Sequence, residues 1–284
     1  MPEGDTIHRA ADALHRALAG RVVTRFLSVF PQLTRIDDTH PLAGRTIDRV
    51  DARGKHLLMW FSGDLVLRTH MRMHGSWHIY RPGERWQRPR HDMRIVLETG
   101  AFHAVGFSIP IAEFTTNRQL ERAGPLQAIG PDLLADDFDG GDAIARLRAR
   151  PALDIADALL DQTAVAGIGN VYKSEVLFAG RVNPFTPVAA LTDEQLASLM
   201  AIAQRYLRAN VPGRTSQHSL AQATDAIVTY TGLRRTTGRS DPSARLWVYG
   251  RGGKPCRRCG TPISRRKQGP HARSTYWCPR CQEG

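Results

Sequence analysis

A chain of 284 residues, 42% of them hydrophobic, is long enough to bury a core as one large domain or as two to three smaller ones. No run of eighteen apolar residues marks a membrane span, and the opening MPEGDTIHRA lacks the basic-then-apolar pattern of a secretion signal, so a cytosolic protein is expected. The net charge is +12 and is unevenly spread. Residues 245–284 hold ten Lys/Arg against one acid, Glu283, a net +9 that leaves only +3 for the 244 residues before them. A basic module on a nearly neutral body points to a polyanion partner, nucleic acid first, rather than to a solvated tail.

In chain order, Asp5 or Thr6 can cap a first helix, with Ile7, Ala11, Leu14 and Leu18 on one face and Gly20 past its end. Strands are predicted at VVTRFLSVF, TIDRVDA, KHLLMWF and LVLRTHM, with a hairpin turn at residues 62–64. MRIVLET and AFHAVGF flank a second hairpin at Thr99 and Gly100. Together they suit a two-layer β-sandwich with the first helix against it. Beyond about residue 115 the pattern turns helical, through TTNRQLERAG, GDAIARLRAR, DIADALLDQT, NVYKSEVLFAG and TDEQLASLMAIAQRYLRAN. Residues 212–244, dominated by Gly, Ser, Thr and Arg, read as a loop or linker. The fold class expected is α+β, in three domains at residues 1–115, 116–244 and 245–284.

All four cysteines lie in the basic module, as CRRC (Cys256, Cys259) and CPRC (Cys278, Cys281), eighteen residues apart. Each CxxC grips a metal from a tight turn, and the residues between the pairs make a hairpin. Two disulfides are the alternative, which a cytosolic chain disfavours. One structural zinc is expected; a closed four-cysteine site has no open position for water and does no chemistry.

Proline at position 2 raises a chemical question. Removal of Met1 leaves a secondary amine at the chain start. An α-amino group titrates near 8, against about 10.4 for lysine, so far more of it is free nucleophile near neutral pH. A secondary amine that attacks an aldehyde carbon also gives an iminium, cationic without further protonation and a strong electron sink. Glu3 beside it can accept and return a proton. The plainer reading of Pro2 is a rigid start to the fold. In GIGNVYKSE, Gly167, Gly169 and Asn170 precede a helix, where free N–H groups and the Asn170 amide suit a phosphate. A simple helix pair capped by Asn170 explains the same residues. Lys55, in ARGKHLL, sits in or beside a strand. RTHMRMHG ends another, and its Met73 is either core filler or a wedge for a base stack.

The ordered set MPEG, ARGKHLL, THMRMHG, GPDLL, GIGNVYKSE, VYGRGGKPCRRCG and RSTYWCPRCQ resembles the Fpg/Nei family of DNA glycosylases over nearly the whole chain. The resemblance implies an N-terminal β-sandwich with a flanking helix, a helix–two-turn–helix domain and a C-terminal zinc finger. It implies Pro2 as nucleophile and Glu3 as acid/base, with Lys55, His70, Asn170 and Arg273 at DNA phosphates. Arg72, Met73 and Lys173 are read as further DNA contacts, Met73 filling the void left by an extruded nucleotide. The start of the chain and FPQL (30–33) look more like the endonuclease VIII branch, which prefers oxidised pyrimidines, than the oxidised-purine branch. Where that branch carries a Gln-Leu-Tyr wedge, this chain has Arg72-Met73-His74. The resemblance thus implies a bifunctional glycosylase/AP lyase acting by β,δ-elimination. It would be a monomer on damaged duplex DNA, without membrane association, cytoplasmic and, in a bacterium, at the nucleoid. A non-catalytic zinc-ribbon DNA binder explains the charge and cysteines but not the amine motif. A tautomerase-like enzyme explains the amine but needs no finger.

Overall fold

The computed structural model describes residues 2–122, 126–211, 234–237 and 242–283. Met1 and most of the 212–244 segment, read above as a linker, lie outside the described residues. The chain divides into two compact units, one within residues 2–127 and one comprising 128–211 and the described residues from 234 onward.

The first unit is a sandwich of two four-stranded antiparallel sheets. α1 (Gly4–Leu18) leads into β1 (Val23–Ser28), α2 (Pro31–Thr39), β2 (Ile47–Arg53), β3 (His56–Phe61), β4 (Leu65–His70), β5 (Ser76–Tyr80), β6 (Met93–Thr99), β7 (His103–Phe107), β8 (Ile111–Thr115) and α3 (Asn117–Arg122). One sheet runs β1-β6-β7-β5 and the other β2-β3-β4-β8. Between them lie Leu57, Met59, Phe61, Leu67, Trp77, Ile95, Leu97 and Ala112, with Ile7, Leu14 and Leu18 of α1 in the same core. Period-2 alternation puts His56, Arg68, His70 and Glu113 on the opposite face of the second sheet.

Several elements differ from the sequence reading. α1 is capped two or three residues earlier than expected, by Glu3 in an extended conformation (φ −127°), while Asp5 is buried in the first turn. α2, β5 and β8 were not anticipated. β8 is an edge strand defined by its pairing with β4, from Val66↔Thr115 to His70↔Ile111, so its signal is in the partner and not in its own five residues. The 62–64 hairpin forms as expected, between the paired residues Phe61 and Leu65, with Gly63 and Asp64 both at positive φ (81° and 57°), a conformation that glycine and aspartate tolerate in turns.

In the second unit, α4 (Gly140–Arg148), α5 (Ile155–Ala158), α6 (Asn170–Ala179) and α7 (Asp193–Arg208) enclose a core of Leu147, Ile155, Leu159, Tyr172, Val176, Leu177, Leu196, Leu199 and Leu207. Local chemistry sets the helix starts. Asp139 accepts from the Asp142 N–H ahead of α4, and Thr192 and Gln195 form a reciprocal capping box at α7. DIADALLDQT is helical over four residues only. The Asp161 carboxylate accepts from the Thr163 N–H (2.9 Å) and hydroxyl (2.7 Å), and these side-chain bonds replace a continuing helix. β9 (Ser264–Gln268) and β10 (Arg273–Trp277) form the expected hairpin. Val248, Cys256, Ile263 and Cys278 pack with Phe178 of α6 in a small core of their own.

Candidate active site and nucleic-acid interface

In the first unit, Pro2 stands at the head of α1, one residue before the fully buried Glu3, whose carbonyl accepts the Thr6 and Ile7 N–H bonds that start the helix. Pro2 is therefore tied to a helix that packs on the core. α1 lies on β2 and β3. The turn joining those strands is Gly54-Lys55, between the paired residues Arg53 and His56. Gly54 at φ 59° allows so tight a turn, and Lys55 is left half-exposed at its tip.

At the end of β4 the chain makes a second tight turn. The Gly75 N–H donates to the Met71 carbonyl at 2.9 Å. Any Cβ on Gly75 would meet that oxygen at 2.6 Å, so glycine is required there. Arg72 adopts φ 49°, and its N–H donates to His70 Nδ1 at 3.0 Å. Met71 is buried, whereas Met73 at the tip is 51% exposed. A methionine presented to solvent on a closed turn is not core filler.

Behind this turn is a polar chain that sequence reasoning missed. Arg68, only 5% exposed, donates from Nε to Glu113 at 2.7 Å and from Nη1 to His56 Nδ1 at 2.9 Å. The His56 and His70 rings meet edge-to-face with centroids 4.8 Å apart. Burial first, then the charges of His70, Arg68 and Arg72, lowers His56 to a pKa of about 3. Burial first, then Arg72, Lys55 and Arg68, lowers His70 to about 4. The only sequence signal was an arginine inside an otherwise apolar strand, LVLRTHM.

In the second unit Asn170 is the first residue of α6, preceded by Gly169 in an extended conformation and by Gly167 at φ 106°. Its side chain is 7% exposed, and its Oδ1 is buried without a partner among the described residues. A buried amide left unsatisfied at a helix N-terminus suits a bound anion, which its NH2 group can meet after a flip of the amide.

Lys173 is not at the surface. It is fully buried, and its Nζ donates to the Thr275 hydroxyl at 2.7 Å and to the Ser274 carbonyl at 3.5 Å. The Thr275 hydroxyl donates to Gln268 Oε1 at 2.8 Å, and Gln268 Nε2 donates to Asp154 at 2.8 Å. The residue read as a DNA contact instead ties α6 to the β9–β10 hairpin. Arg273 begins β10, opposite Gln268, two residues before Thr275 on the same face of the strand.

A second tie runs from Glu175, also fully buried. Its carboxylate accepts from the backbone N–H groups of Trp247 (2.7 Å), Val248 (2.9 Å) and Tyr249 (2.8 Å), and from the Thr236 hydroxyl. Burial pushes its pKa up, and these four bonds pull against that shift.

The four cysteine sulfurs all lie within 4.8 Å of one another, with Cys256–Cys281 at 3.9 Å and Cys259–Cys278 at 3.4 Å. Tetrahedral zinc with Zn–S bonds of about 2.3 Å places its sulfurs roughly 3.8 Å apart, so the cluster fits. The thiols do not ionise alike without a metal. Hydrogen bonds from Thr261 draw Cys259 down to about 6, while burial and the neighbouring sulfurs push Cys281 up to about 12. A dication that takes all four as thiolates removes that conflict.

Two compact units, a first helix headed by Pro2 and Glu3, basic side chains at tight turns and four clustered cysteines flanking a hairpin suit a nucleic-acid enzyme with a structural metal. Comparison with known proteins gives the class. The formamidopyrimidine-DNA glycosylase N-terminal domain matches residues 1–108, the formamidopyrimidine-DNA glycosylase H2TH domain residues 129–220, and the zinc finger found in FPG and IleRS residues 253–284. The chain belongs to the Fpg/Nei family of DNA glycosylases. It is 42% identical to a probable endonuclease 8 2 of Streptomyces coelicolor, over all of this chain and 95% of that protein. It is 38% identical to the DNA-(apurinic or apyrimidinic site) lyase Nei2 of Mycolicibacterium smegmatis, over 99% of each. A solved complex between Lactococcus lactis Fpg and abasic-site DNA is similar with a TM-score of 0.79 and 25% identity, over the full length of both chains.

Proposed function

We propose that this protein is a base-excision-repair DNA glycosylase with AP lyase activity, using Pro2 as nucleophile and Glu3 as acid/base. The observation that carries the reading is the start of the chain: Pro2 is held at the head of α1 beside the fully buried Glu3. The Pro2 nitrogen attacks the sugar C1′, and the glycosidic bond breaks as the base leaves with the electron pair and a proton. The ring-opened sugar is then an iminium of the secondary amine. It acidifies the C2′–H, whose loss ejects the 3′ phosphate; a second elimination ejects the 5′ phosphate, and hydrolysis returns Pro2. Glu3 carries protons in these steps.

Residues 1–115 supply this chemistry, 116–244 the helix–two-turn–helix grip and 245–284 the finger. Lys55, His70, Asn170 and Arg273 hold phosphates about the extruded nucleotide, Arg72 adds a basic contact, and Met73 fills the gap it leaves. One zinc on the four cysteines gives the finger its structure. The protein acts as a monomer on damaged duplex DNA, in the cytoplasm or at a nucleoid. Oxidised pyrimidines are the favoured lesions, on the strength of the resemblance of the chain's start and of FPQL (30–33) to the endonuclease VIII branch. No described helix is long and apolar enough to cross a membrane.

The test is borohydride trapping on abasic-site duplex. Wild type forms a covalent adduct, and Pro2→Gly or a retained N-terminal extension loses it. Glu3→Gln impairs excision of a base more than cleavage at a pre-formed abasic site. Full trapping by protein with a blocked N-terminus would assign the nucleophile to a lysine instead. A panel of single-lesion duplexes then decides between oxidised pyrimidines and oxidised purines.

A further inference from the structure

We propose that Arg68 and His56 are positioning residues that hold His70 as a neutral imidazole with its proton on Nε2, so that His70 meets a DNA phosphate as an uncharged donor. Only the phosphate role of His70 is taken from the proposed function; the rest stands on the geometry of the first unit.

A guanidinium donates and never accepts. The 2.9 Å contact of Arg68 Nη1 with His56 Nδ1 therefore makes that nitrogen an acceptor without a proton, and a neutral His56 carries its proton on Nε2. The same logic applies to His70. The Arg72 N–H donates to His70 Nδ1 at 3.0 Å, so that nitrogen too is unprotonated, leaving Nε2–H as the donor. Protonating His70 at Nδ1 would turn an N–H against the Arg72 N–H and break a bond of the turn that carries Met73.

The surrounding charges act in the same direction. Lys55 of the β2–β3 turn, Arg68 of β4 and Arg72 of the following turn all oppose a positive His70. Glu113 of β8, the acid in this polar network, has a carboxylate oxygen engaged by Arg68 Nε at 2.7 Å. Arg68 thus has two roles. One arm is anchored on Glu113, and the other fixes His56, whose ring meets that of His70 edge-to-face at 4.8 Å. Charge at the phosphate then comes from Lys55 and Arg72, and His70 adds direction to the grip without adding counterion release.

The test uses the full-length zinc-loaded protein, with 15N shifts of the histidine rings and binding to a duplex carrying a reduced abasic site. In wild type, both His56 and His70 show the neutral Nε2–H pattern at pH 6. His70→Ala weakens binding with an unchanged salt slope, whereas Lys55→Ala flattens the slope by about 0.9 log–log units. Arg68→Met raises the His70 pKa and makes affinity pH-dependent, tighter at pH 5.5 than at pH 7.5. If Arg68→Met does not fold, His56→Gln, which keeps an acceptor for Arg68 but removes the ring, gives a smaller change of the same sign. An imidazolium pattern for wild-type His70 at pH 6 overturns the inference. So does an unchanged His70 titration in whichever of these two variants folds. Undiminished affinity in His70→Ala removes the phosphate contact, a failure of the proposed function that the ring shifts of the wild type register separately.

Discussion

The buried Lys173 ammonium lies 2.7 Å from the Thr275 hydroxyl, a residue 102 positions further along the chain. This one bond joins the helix that begins with Asn170 to the hairpin that begins its return strand with Arg273. Two residues proposed to hold phosphates are thereby set on one polar scaffold, Asp154–Gln268–Thr275–Lys173.

Replacing Lys173 with Met should therefore act through the hairpin. The loss leaves the Thr275 oxygen without its donor and costs about 1–3 kcal/mol in the stability of the second unit. DNA affinity should fall while zinc stays bound. In an Arg273→Ala background, Lys173→Met should change neither affinity nor salt slope much further, because the residue it positions is gone. A full extra loss of about 0.9 in the slope in that background would make Lys173 a phosphate contact in its own right.

Metal removal should be local. Cys256 and Cys278 pack with Phe178, Val248 and Ile263, a core separate from that of α4–α7 and from the sandwich. Cys278→Ser, or chelation of wild type, should abolish the finger's protection in amide exchange and lower DNA affinity by at least tenfold. The exchange of β3 and β4 amides should not change. Metal-free protein with wild-type affinity would remove the finger from the interface.

The lowered histidines give a signed pH dependence. In the unfolded chain His56 and His70 titrate near 6.5, while in the fold they stay neutral to about 3 and 4. Below about pH 6.5 the unfolded state binds protons that the native state does not, so their contribution to stability is complete above that pH. It is lost progressively as pH falls toward the folded values. Urea melts of wild type between pH 8 and pH 5 should show stability falling, and a His56→Gln/His70→Gln variant should show a shallower fall. Equal slopes for the two proteins would place the histidines in water.

What the sequence displayed depended on how local each signal was. Cys256, Cys259, Cys278 and Cys281 were legible because metal ligation imposes its own spacing. The 62–64 turn was legible because a few adjacent residues decide it. β8 was not, since its five residues become a strand through β4. Lys173 was misread for the same reason: a lysine in a helix looks like a cation for DNA until Thr275 and Ser274 are brought to it. Arg68 likewise carried no visible role without Glu113, 45 residues away, to accept its Nε–H.

Met73 is where shape can be separated from charge. The Met71–Gly75 bond closes the turn, the 2.6 Å clearance at Gly75 forbids a side chain there, and Met73 is left 51% exposed at the tip. Truncation there removes no core contact, so Met73→Ala should leave the melting temperature and the salt slope of binding unchanged. It should slow excision from paired duplex, where opening the stack costs on the order of a few kcal/mol and an apolar wedge offsets part of that cost. A single-stranded abasic substrate has no stack to open and should be cut at nearly the wild-type rate. The quantity to measure is the duplex to single-strand rate ratio, and it should drop in the variant by about tenfold for each 1.4 kcal/mol that the wedge supplies. Gly75→Ala provides the companion measurement. It keeps Met73 but displaces the turn, so it should lower the same ratio while also destabilising the first unit. If Met73→Ala slows both substrates equally, the exposed methionine is a general binding contact, and some other side chain occupies the vacated stack.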